Sequence, residues 1–109
     1  MKLTPIDLEA SQPADDSAAD LVVARAMTAA AKGDVSALFD LGVVYSTGSN
    51  GVASDFIEAH KWFNIAAARG HEEAAFCRAD VSDEMTAREI AEAQRRARQW
   101  LVEDRRRAA

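Results

Sequence analysis

Two stretches of this chain are variants of each other. AAAKGDVSALF (29–39) and AAARGHEEAAF (66–76) align without a gap at an offset of 37 residues. Each reads as the end of a helix, a basic residue, a stop glycine and the start of a new helix with Ala and Phe at the same spacing. Trp62 returns as Trp100 and Ala59 as Ala97. A period of about 35 to 40 residues with two helices per period marks a stacked helical array, whose units bury their apolar faces only against their neighbours.

The rest of the chain agrees with an all-α fold. Its 109 residues suffice for one core and leave no room for a second. Apolar residues make up 49% of it, yet runs of Val, Ile, Thr and Tyr that would favour strands are nearly absent. Residues 1–16, with Pro5 and Pro13 and no sustained periodicity, are expected to form a flexible arm. Ser17 then caps a first helix carrying Val22, Val23, Ala26, Met27 and Ala30, which Gly33 ends. Asp34 opens a second helix with Leu38, Leu41, Gly42 and Tyr45 at i, i+3, i+4 and i+7. Gly48 and Asn50-Gly51 break it. Asp55 with Glu58 has the spacing of a capping box, and Phe56, Ala59, Phe63, Ala66 and Ala67 follow as one stripe beside Trp62. Gly70 stops that helix. A shorter one runs from Glu72 to about Val81. Thr86 with Glu89 opens the last, whose stripe is Ile90, Ala93, Ala97, Trp100 and Leu101. The expectation is a short α-solenoid of five helices paired as antiparallel hairpins, spanning 17–104, followed by a basic tail at 105–109.

Charge narrows the functions available. The net charge of −5 is uneven: residues 1–87 hold 6 basic and 14 acidic side chains, and residues 88–109 hold 7 arginines and 4 acids. An acidic body argues against nucleic acid, where affinity comes largely from neutralised phosphates. The arginine-rich end offers contact to an acidic partner, to nucleic acid, or to its own body. No apolar stretch approaches the roughly 18 residues that span a bilayer. The opening residues lack the apolar centre of a secretory leader, and Cys77 is the one cysteine. A cytoplasmic setting is therefore expected.

The Gly- and Ser-rich stretch STGSNGVASD (46–55) invites comparison with a phosphate-binding loop. It lacks the lysine such a loop needs, follows a helix, and ends in an aspartate that repels phosphate. A turn between helices is the better reading. His60 and His71 do not supply the three or four converging ligands of a zinc site. His60 is expected packed or half-exposed on its helix, and His71 solvent-facing in the turn. Cys77 reads as a small buried hydrophobe; its spacing from His71 makes a poor nucleophile–base pair. No cofactor, metal or catalytic residue is expected.

The stretch from 37 to 74 resembles the Sel-one-like repeat (SLR) family, a relative of the tetratricopeptide repeats. The residues that carry the likeness are Ala37, Leu41, Gly42, Tyr45, Gly48, Gly51-Val52, Asp55, Ala59, Trp62, Ala66-Ala67, Gly70 and Ala74. The flanks match by halves. Where the leucine-glycine pair and the tyrosine of the pattern should return stand Arg78, Ala79 and Ser82, so the last two helices lack the glycine that permits close approach. The turn GSNGV is about one residue longer than the usual one. The closing segment resembles the ends of many bacterial members. The resemblance implies a non-enzymatic module that binds a protein or peptide partner, often as an adaptor. A hydrolase, as linked to some disulfide-rich secreted relatives through β-lactams, is the alternative; this chain lacks their cysteines and any Ser-x-x-Lys pair. Outward positions expected to meet a partner are Ser36, Asp40 and Val44, with Glu73 as counterpart. The apolar stripe around Ile57, Trp62, Ile65 and Trp100 also suggests self-association.

Overall fold

The computed structural model describes residues 18–108. The expected arm 1–16, the cap at Ser17 and the final residue of the tail lie outside them. Among the described residues there are five helices and no strand: α1 (18–31), α2 (Val35–Thr47), α3 (Phe56–Ala68), α4 (Glu72–Ser82) and α5 (Ala87–Ala108). No helix among them is long and apolar enough to cross a membrane.

The repeat seen in the sequence reappears as repeated hydrogen bonds. Gly33 N–H donates to the Ala30 carbonyl and Asp34 N–H to that of Ala29, at 3.0 and 3.1 Å. Thirty-seven residues later Gly70 donates to Ala67 and His71 to Ala66, both at 3.0 Å. Both glycines have φ near +95° (95° and 97°), which side chains on Cβ disfavour and which lets the last turn close on itself. Each glycine is followed by the residue that caps the next helix. Asp34 Oδ1 accepts from the N–H groups of Ser36 and Ala37. His71 Nδ1 accepts from Ala74 N–H at 3.1 Å.

α3 is the central helix and packs on α2, α4 and α5. α2 and α3 form an antiparallel hairpin closed by Asp55 N–H donating to the Tyr45 carbonyl at 2.9 Å. At Gly42 a methyl group would overlap the ring of Phe63, so the missing side chain is what lets that ring rest on α2. α3 runs alongside α5 in the same direction, as Glu58–Arg96 and Arg69–Asp104 show near opposite ends of the contact. Alternate helices of a hairpin array align in this way. α4 and α5 barely touch. Arg78 and Ala79 stand where α2 has Leu41 and Gly42, so this pair lacks both the apolar bulk and the close approach of the first hairpin.

The core is Leu38 and Leu41 from α2, Trp62, Phe63, Ile65 and small alanines from α3, with Ala74, Val81 and Ala97 from the later helices. Each large side chain so buried contributes about 1.5–3 kcal/mol relative to exposure. Trp62 meets Trp100 edge-on at 5.7 Å between ring centroids. Its Nε1–H donates to Glu58 Oε1 at 3.2 Å. That carboxylate uses its other oxygen for Arg96 Nη1 at 2.8 Å.

Several expectations need correction. Of the stripe Ile57, Trp62, Ile65 and Trp100, Trp62 and Ile65 are buried, Trp62 against Trp100 of α5, and Ile57 and Trp100 are half-buried. Phe56 lies at the exposed start of its stripe. The tail at 105–109 is helical through Ala108, held in part by Arg69 and Arg107 on Asp104. Only half of the Asp55–Glu58 box forms: Asp55 Oδ1 accepts from Glu58 N–H, but Glu58 turns to Trp62 and Arg96. The Thr86–Glu89 box forms in both directions.

Candidate functional site

The turn 48–55 helps line two clefts beside α1. Gly48 caps α2 in the left-handed region, its N–H donating to the Val44 carbonyl; Ser49 N–H reaches the same oxygen and Val52 N–H donates to the Ser49 carbonyl. Asn50 and Gly51 also have positive φ, 59° and 79°. This tight reversal holds Ser49–Ala53 against α1. On one side of that contact lies a cleft of about 500 Å³ between α1 and α2, with Val22, Ala26, Val43 and Val44 as its apolar lining and Arg25, Asp34 and Asp40 at its rim. On the other side is a cleft of about 430 Å³ bounded by Val23, Met27, Tyr45, Val52 and Ala53. Both are open, shallow and mixed in polarity, which suits an extended or helical peptide better than an enclosed small molecule.

The expected partner residues separate in the structure. Asp40 is exposed at the rim of the larger cleft. Val44 lines its floor and is 9% exposed, so it is no outward position; the i+3 step from Leu41 turns it toward the core. Ser36 is exposed but its hydroxyl donates to Asp34 Oδ1 at 2.7 Å, completing the cap of α2. That bond is the main reason the Asp34 carboxyl is held below its usual range. Glu73 is exposed on α4 and lines neither cleft. Arg25, Val22 and Ala26 on α1 were not foreseen as site residues, whereas the turn holding Ser49–Asn50 was the part of the chain whose role in binding the sequence left open. The one signal pointing to them was the extra length of the turn.

Tyr45 stands between the turn and α3. Its hydroxyl titrates above the ordinary range, first because it is partly buried and then because Glu58 and Asp55 are near. Burial also pushes the half-buried Cys77 thiol up, with Glu73 and Asp80 adding to it, the reverse of what a reactive thiolate needs. His71 is no solvent-facing histidine: it caps α4, and its ring stacks on Phe39 at 4.3 Å and 11°. His60 is 2% exposed and its Nδ1 has no partner among the described residues. Burial, and then Arg78, hold it below the usual histidine range. Among the described residues no three His, Cys, Asp or Glu side chains converge as metal ligands would.

The arginines of α5 divide into two sets. Arg95 and Arg96 pair with Glu92, Arg96 also with Glu58, and Arg107 with Asp104, which Arg69 holds from α3. Glu92 is held down to about 2, first by its hydrogen bonds to Arg95 and Arg96. Arg88, Arg98, Arg105 and Arg106 form no ion pair among the described residues. Three of the seven α5 arginines are thus turned onto the chain's own carboxylates.

Compared with models of protein families, with curated proteins and with solved structures, the chain matches none.

Proposed function

We propose that this chain is a non-enzymatic protein-interaction module of the SLR type, which takes a peptide segment of its partner along the α1–α2 cleft and its turn. The observation that carries the reading is the cleft itself: an apolar floor from Val22, Ala26, Val43 and Val44, charges of both signs at its rim, and a hydrogen-bonded turn as its end wall. An apolar floor with a polar rim is the usual anatomy of a surface that binds protein. The matched helix stops and caps 37 residues apart support the repeat reading. A cytoplasmic setting belongs to the same proposal, with Cys77 as the one cysteine of the sequence.

Peptides selected from a displayed library against the pure protein test it. Their affinity should fall at least about tenfold, or 1.4 kcal/mol, when Asp40→Arg changes the rim, and hold when Arg98→Glu changes α5. Failure to select any peptide, or affinity indifferent to Asp40→Arg, contradicts the cleft as the binding surface.

A further inference from the structure

Phe39 and Phe76 occupy the same place in the two units, yet their surroundings differ. Phe39 is stacked on His71, which belongs to the next unit, and lies 5.6 Å from Phe63. Phe76 is 74% exposed, the barest large apolar side chain among the described residues. On α4 it stands between Glu72 and Asp80 at i−4 and i+4, so the three share one face. On α5 the same spacing recurs with opposite sign: Val102, 40% exposed, stands between Arg98 and Arg106. Glu72, Asp80, Arg98 and Arg106 are exposed and form no ion pair among the described residues.

We propose that these two ladders bind each other between copies of this chain: the Glu72–Phe76–Asp80 face of α4 in one copy docks on the Arg98–Val102–Arg106 face of α5 in a second. Each ladder spans eight residue steps, about 12 Å of helix, so the lengths match. Phe76 meets Val102 at the centre and the charges pair on either side. Within one copy the two ladders do not neutralise each other. Each copy carries both, so an arrangement in which each helix meets the other's complement uses both contacts at once, as a two-fold dimer requires. So small a contact makes the association weak and reversible, and pairs at its edge make it sensitive to salt. The inference stands apart from the α1–α2 cleft, which lies in other elements.

Sedimentation equilibrium of the full chain from micromolar to millimolar concentration tests it, with circular dichroism confirming that each variant is folded. The wild type should dimerise reversibly, less so at high salt, and Phe76→Ser should shift it to monomer. Glu72→Arg with Asp80→Arg makes both ladders basic; Arg98→Glu with Arg106→Glu makes both acidic. Each double variant alone should be monomeric. Mixed in equal amounts they should form a heterodimer, because each then offers the other's complement. A wild type that is monomeric throughout, double variants that self-associate like the wild type, or a mixture that does not associate overturns the proposal.

Discussion

The ring of Phe63 on α3 rests on the backbone of α2 at Gly42, in space that a methyl group would need. Alanine is the better helix former by about 0.5–1 kcal/mol, so propensity alone favours Gly42→Ala. The ring it would displace is buried among Leu38, Leu41 and Trp62, and overpacking costs typically 1–3 kcal/mol. Packing wins. Gly42→Ala should lower the unfolding free energy by about 1–2 kcal/mol in a urea titration. A gain would show that the hairpin has slack at this point.

His60 makes the fold sensitive to mild acid. Its folded form is held neutral, below the ordinary value of 6.5, first by burial and then by Arg78. The unfolded chain binds the proton more readily. Stability is therefore complete above about pH 6.5 and falls as pH drops toward the depressed value in the fold. His60→Leu removes the titrating group and the unpartnered Nδ1 together. Its urea midpoint should depend less on pH between 7.5 and 5.5 than that of the wild type. Equal slopes would show that His60 takes up its proton without penalty.

Glu58 ties α5 to the core, whereas Arg95 pairs at the surface. Glu58 accepts from Trp62 Nε1 and from Arg96 with a side chain 18% exposed. Removing it leaves a buried indole N–H and an arginine without their partner. Glu58→Ala should cost about 1–3 kcal/mol. Arg95→Ala should stay within about 0.5 kcal/mol. Thermal melts of the two variants compare them directly. Glu92, held down to about 2, adds a contribution present above its ordinary value of 4.5 and lost as pH falls through that interval.

The two caps that follow the paired glycines each stabilise a helix start, despite their different chemistry. Asp34→Ala and His71→Ala each remove a side-chain acceptor from a helix N-terminus, and the lost cap alone is worth about 1 kcal/mol in each. His71→Ala should cost more than that, because the ring also covers Phe39. Urea midpoints of the two variants check the order.

The alignment of 29–39 with 66–76 made the helix stops and starts legible, because a glycine stop and its cap are local chemistry. The apolar stripe of α3 was legible too, at Ala59, Phe63 and Ala66 beside Trp62, all buried in the fold. Three features depended on tertiary packing and were not. His71 is a histidine in the place of a capping aspartate, its ring held by the Ala74 N–H and by stacking on Phe39. Val44 was read as an outward position, yet it follows Leu41 at i+3 and is buried at the floor of the α1–α2 cleft. The apparent surplus around Trp62 was covered by α5, while the bare residue proved to be Phe76, whose counterpart Phe39 is covered. As for the site, Asp40 was read from its outward position, but the α1 wall required knowing where the turn meets that helix.

The claim that the α1–α2 cleft binds protein is tested most directly by mapping a selected peptide onto the backbone amides by NMR titration. The account predicts saturable shifts at Val22, Ala26, Asp40, Val43 and Ser49–Val52, with α4 and α5 unmoved at peptide concentrations that saturate the cleft. Shifts confined to α4 and α5, with the α1–α2 amides undisturbed, would contradict it.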